Sequence, residues 1–139
     1  MRAALIAAAM VLATSIVNAH VTVWPMESRA GAGERYTVRV PTEGQVTTTS
    51  VELEVPEGMS VSGVLVGAGY TYEVKRDGTR ITTITWKQDI KAAEYGEFVF
   101  FARNPNASQV AWKVRPTVWP SVWASERTSA TNASRPRRI

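Results

Sequence analysis

From residue 20 onward, apolar and polar residues alternate in short runs, and turn-forming residues stop each run before it lengthens. Tyr36, Val38 and Val40 alternate with Thr37 and Arg39 until Pro41, and Val51, Leu53 and Val55 alternate with Glu52 and Glu54 until Pro56-Glu57-Gly58. A period of two puts one set of side chains on each face of an extended chain, so both runs predict half-buried strands. His20 to Trp24, Met59 to Val66 and Val110 to Val114 are further β-patterned runs. Phe98 to Ala102 is apolar throughout and closes on Asn104-Pro105-Asn106. Tyr70 to Arg76 and Thr79 to Trp86 flank Asp77-Gly78, which predicts a hairpin because a type I′ turn needs positive φ at both centres. No helical period persists for three turns. About seven to eight strands at this spacing predict an all-β fold, an immunoglobulin-like β-sandwich. After Val114 the alternation breaks at Pro116 and Pro120, and Ser, Thr, Asn and Arg dominate from Ser125, which predicts little order there.

The first nineteen residues follow another pattern. Arg2 precedes an apolar stretch from Ala3 to Val17, broken only by Thr14 and Ser15 and followed by Asn18-Ala19. This is the layout of a secretory signal peptide cut after Ala19. The stretch is shorter than the roughly 20 apolar residues of a membrane-spanning helix, and no later segment comes closer. The expected organisation is a signal peptide over residues 1–19, one sandwich domain over residues 20–125 and a flexible basic tail over residues 126–139. The expected location is outside the cytoplasm, periplasmic or extracellular, with no membrane span once the signal is removed.

Composition narrows the chemistry. The chain has no cysteine, so neither disulfides nor thiolate metal sites are available, and any metal must be held by nitrogen, oxygen or methionine sulfur. The net charge of +4 belongs to the ends: residues 20–125 hold eleven basic and eleven acidic side chains, and the excess lies at Arg2 and among Arg127, Arg135, Arg137 and Arg138. No basic stripe interleaved with aromatics runs along any element, which argues against nucleic acid as a partner. A single histidine excludes a serine-type triad, a histidine pair and any metal site built on two histidines. Glu52, Glu54 and Glu57 read as a solvated strand face and its turn. Trp86 and Trp112, within patterned strands, read as core.

The single histidine is His20, immediately after the expected cleavage site. As an internal residue it offers one imidazole and reads as an exposed polar side chain. As a first residue it offers two nitrogens, the α-amino group and imidazole Nδ1, which close a six-membered chelate. An α-amino group titrates near 8 and imidazole near 6.5, so at neutral pH a metal displaces few protons to bind both. Copper heads the affinity order for such donors, and a tetragonal set of nitrogens and oxygens suits Cu(II).

Several motifs together resemble the exported copper-binding domain family of the YcnI type. They are Ala19-His20-Val21-Thr22-Val23-Trp24-Pro25, Ala30-Gly31-Ala32-Gly33-Glu34-Arg35-Tyr36-Thr37-Val38-Arg39-Val40-Pro41, Thr47-Thr48-Thr49-Ser50-Val51-Glu52-Leu53-Glu54-Val55-Pro56, Ile84-Thr85-Trp86, Gly96-Glu97-Phe98-Val99-Phe100-Phe101-Ala102-Arg103-Asn104-Pro105 and Ala111-Trp112. The resemblance covers residues 19–115. It implies an immunoglobulin-like sandwich that binds copper through a brace of one histidine, completed by a carboxylate and a tryptophan. Carried onto this chain, the metal residues are His20, Glu34 and Trp123, with Trp119 second to Trp123. The stretch from Val114 to Trp123 departs from the family by lacking an Asp-Gly turn. Should β-runs Val21–Trp24 and Arg35–Val40 form a simple hairpin, Glu34 would lie at the far end of the first strand, and residues 25–33 would have to carry the chain back to complete the site.

Three functions compete. The resemblance favours an exported, non-enzymatic protein that holds Cu(II) for storage or delivery, with the copper ion and another exported or membrane copper-handling protein as partners. The alternative is an adhesive or ligand-binding module that grips a sugar or peptide with Trp24, Trp119 and Trp123. A copper enzyme ranks last, since one histidine supplies few fixed ligands for redox chemistry.

Overall fold

The computed structural model describes residues 20–42 and 44–119. The expected signal peptide, Trp123 and the expected basic tail lie outside the described residues.

Eight strands follow in order: β1 (Thr22–Trp24), β2 (Gly33–Pro41), β3 (Thr47–Glu54), β4 (Ser60–Val64), β5 (Thr71–Asp77), β6 (Arg80–Ile90), β7 (Tyr95–Arg103) and β8 (Lys113–Trp119). They form two four-stranded sheets of order β1-β2-β7-β4 and β5-β6-β3-β8, and every pairing is antiparallel. The chain crosses between sheets at β2–β3, β3–β4, β4–β5, β6–β7 and β7–β8. This is the immunoglobulin-like sandwich that the alternation predicts.

Each sheet turns its apolar set inward. Tyr36, Val38 and Val40 from β2 meet Val51 and Leu53 from β3, Ile84 and Trp86 from β6, and Phe98 and Phe100 from β7. Trp86 is fully buried and stacks on Phe98 with ring centroids 5.3 Å apart. Trp112 is half-buried and packs edge-on against Tyr36 and Phe100. Aromatic pairs of this kind add to the stabilisation from area alone. Outward, Glu52 and Glu54 of β3 face Arg115 and Lys113 of β8, as a solvated strand face should.

Two details differ from the sequence expectation. The β5–β6 hairpin forms, but Asp77 pairs with Arg80, so the loop is Gly78-Thr79 with positive φ at Gly78 alone. That is the requirement of a II′ turn, which takes glycine at its first centre. The last strand, expected at Val110 to Val114, instead runs from Lys113 to Trp119 through Pro116. It pairs only with β3 at the sheet's edge, where the missing proline N–H breaks no ladder.

Candidate metal centre

His20 is exposed and stands two residues before β1. The pairing of Thr22 with Arg39, Val23 with Val38 and Trp24 with Thr37 sets its place, because continuing this register puts His20 opposite Pro41, the last residue of β2. Alternation assigns it to the outward row of Thr22 and Trp24, since Val23 is buried and Val21 packs on the core.

The same register does not bring Glu34 to His20. Glu34 is the second residue of β2, seven positions from Pro41, and thus about 23 Å from the His20 end at a rise of ~3.3 Å per residue. The antiparallel β1–β2 hairpin leaves residues 25–32 as a loop at the Glu34 end, so the chain does not return to His20. There Glu34 accepts a hydrogen bond from Ser28 Oγ at 2.8 Å on Oε2 and another from its neighbour Arg35 N at 3.1 Å on Oε1. Asn104 Nδ2 donates to Ser28 Oγ at 2.8 Å and to Arg29 O at 2.7 Å, and the Tyr36 hydroxyl donates to Asn104 Oδ1. The carboxylate therefore fastens the loop before β2 to the end of β7.

Burial pushes the Tyr36 phenol above its ordinary value of 10.0; the Ser28 hydrogen bond pulls it down, the Glu34 charge raises it and the Asn104 bond lowers it. Beside this network the 25–30 loop, Pro105, residues 107–110 and Trp112 enclose a cleft of about 480 Å3. It lies at the opposite end from His20.

The His20 end has its own features. Trp119, the last residue of β8, pairs with Thr47 just after the β2–β3 crossover and is 66% exposed, so it shares this end with His20. Trp123 follows in sequence, outside the described residues. Tyr95 pairs with Pro41 and is also exposed. The turn between β6 and β7 is built tightly: Glu94 N donates to Lys91 O at 3.0 Å, Lys91 N donates to Glu94 Oε2 at 2.7 Å, and Thr42 Oγ1 donates to both Lys91 O and Glu94 O. Ala93 in this turn holds φ at 66°. Among the described residues, no three histidine, cysteine, aspartate or glutamate side chains cluster as a metal cage. Sequence reasoning passed over Ser28 and Asn104 as loop residues and Arg39 as strand alternation; only their tertiary partners give them a role.

Two facing antiparallel sheets with Greek-key crossings define an immunoglobulin-like domain. A solved structure of an uncharacterized protein from Nocardia farcinica, described as having an immunoglobulin-like fold, superposes with a TM-score of 0.65 at 25% identity, over 73% of this chain and 79% of that one. The chain belongs to the family described as Domain of unknown function (DUF1775), which it matches over residues 20–136. It is 32% identical over 103 residues to the Copper-binding protein CutI of Bacillus subtilis (strain 168), a match that takes in 71% of this chain and 50% of that protein. The chain thus spans about half the length of that curated relative. These matches agree with the YcnI-type copper-binding family that its motifs resemble.

Proposed function

We propose that this chain is an exported, non-enzymatic copper-binding protein, periplasmic or extracellular, that holds Cu(II) for storage or delivery. Removal of residues 1–19 makes His20 the first residue, and its α-amino nitrogen and imidazole Nδ1 then chelate the metal. The observation that carries this reading is that the family match begins at His20, the chain's single histidine, while the relative named for copper binding shares nearly a third of its aligned residues. The exposure of His20, two residues before an edge strand, supports it. Trp123 remains the proposed aromatic wall, because β8 delivers the chain to the His20 end at Trp119. Glu34 is left out of this proposed set because the β1–β2 register keeps it from His20, and a completing oxygen donor is sought instead in water, in Glu94, which precedes the Pro41 partner Tyr95, or in Glu43, two residues after Pro41 in the sequence.

The test is a titration of Cu(II) into a chain that begins at His20. Binding of about one equivalent is expected, and one added residue before His20 should weaken it by orders of magnitude, because the α-amino ligand is lost. Equal binding by the extended chain would refute the brace. Replacing Glu43 or Glu94 by glutamine then identifies the oxygen donor as the variant with weakened binding.

A further inference from the structure

The short strand that leads from His20 is clamped from outside. β1 has only three residues and three register pairs, so its backbone bonds alone hold it weakly. On the outward row, Trp24 Nε1 donates to Thr22 Oγ1 at 3.0 Å, which folds the indole back along its own strand toward His20. The Arg39 guanidinium covers that indole, 4.9 Å from the ring centroid, and Arg39 Nε lies 3.2 Å from Glu97 Oε1. Arg39 stands opposite Thr22 on one side and Glu97 on the other. The contacts cross β7, β2 and β1 and end two residues from His20.

We infer that Arg39 is a positioning residue for the copper chelate, fixing through Trp24 and Thr22 where the two His20 nitrogens sit. The inference rests on the copper reading above and adds to it the means by which a terminal residue is given a defined place. Glu97 stands beside the guanidinium as an ion-pair partner and offsets a cation that would otherwise stand unpaired near a divalent metal.

Arg39 has two effects of opposite sign, which makes its role measurable. As a charge it repels Cu(II), so removing it would tighten binding. As a clamp it holds β1, so removing it weakens binding.

Cu(II) affinity is measured for the chain of residues 20–139 and for Arg39→Gln, Arg39→Lys and Glu97→Gln. Arg39→Gln is expected to bind roughly fivefold more weakly, with a broadened Cu(II) electron paramagnetic resonance signal that reports several geometries. Arg39→Lys, which keeps a cation over the ring, is expected to recover most of the affinity. Glu97→Gln is expected to weaken binding, since it loosens the clamp and unpairs the cation together. Unchanged or tighter binding by Arg39→Gln overturns the inference.

Amide hydrogen exchange in the metal-free protein reads the clamp without copper. Exchange at the β1 amides that bond to β2 should quicken several-fold in Arg39→Gln while β2–β7 amides keep their protection, and unchanged exchange at those β1 amides also overturns the inference. If the parent chain binds no Cu(II), the copper reading fails on that result alone, and the exchange data still decide whether the clamp exists.

Discussion

The Glu34 carboxylate accepts from Ser28 Oγ and from Arg35 N, and through Ser28 it is tied to Asn104, which is 8% exposed and bonded to the Tyr36 hydroxyl. A residue so engaged acts on stability at its own end of the sandwich. Glu34→Gln should leave Cu(II) affinity within about twofold of the parent while lowering stability by about 0.5–1.5 kcal/mol, the range for one hydrogen bond; a large loss of copper binding in titration would contradict this placement. Tyr36 gives a pH-dependent counterpart. Burial raises its pKa in the folded chain, so the neutral phenol is favoured there, and its contribution is fully present below the unfolded value of 10.0 and lost as pH rises through the higher folded value. Tyr36→Phe should therefore shrink the alkaline loss of stability in urea denaturation above about pH 10. At neutral pH it should destabilise by about 1–3 kcal/mol, because Asn104 Oδ1 loses its buried donor. Some alkaline sensitivity remains through Tyr70, whose phenol is also raised, by burial first and by the neighbouring Tyr72 second.

Two turns with positive φ make opposite predictions from one rule. Ala93 holds φ at 66° between Lys91 and Glu94, whereas Gly78 holds φ at 60° between β5 and β6. A side chain in the left-handed region costs about 1–2 kcal/mol, partly offset by the greater freedom of glycine in the unfolded chain. Ala93→Gly should raise the thermal midpoint and Gly78→Ala should lower it, each by about 1 kcal/mol of stability in calorimetry. The elements themselves were largely legible from the sequence, because six of the eight strands carry the inward set as alternating or continuous apolar residues with proline, glycine or asparagine at their ends. What local pattern missed depended on partners. Thr47 to Ser50 is a polar run that joins β3 because Thr48 finds Ile90 and Val118 beside it. Pro116 reads as a stop, yet it is tolerated in β8 because that strand has one neighbour, and Val114 and Val118 still reach inward.

At the scale of the whole molecule, the sandwich separates two ends that the sequence could not tell apart. His20 and Glu34 stand fourteen residues apart in the chain, close enough to share a site had the loop over residues 25–32 folded back, but the β1–β2 register assigns them to opposite ends. The proposed chelating residue could be singled out in the sequence because its chemistry would lie in one position and one cleavage; an oxygen partner could not, because register is set by pairing across strands. This geometry also ties folding stability to processing. Copper that binds only the folded chain raises stability by RT ln(1 + [L]/Kd), about 2.7 kcal/mol at a hundredfold excess over Kd. Part of that gain is lost if the unfolded chain keeps the same two nitrogens, so the rise also measures how much of the site the fold itself supplies. The chain beginning at His20 should thus show a thermal midpoint that climbs with Cu(II). The uncut chain, in which His20 is internal, should show almost none, and Arg39→Gln should fall between them. A midpoint that climbs equally in cut and uncut chains would mean that copper is held by side chains alone and that cleavage plays no part in making the site. A climb confined to the cut chain, of a size that chelation by an unfolded terminus cannot give, would show that β1 and its clamp hold His20 against further ligands at the same end of the sandwich.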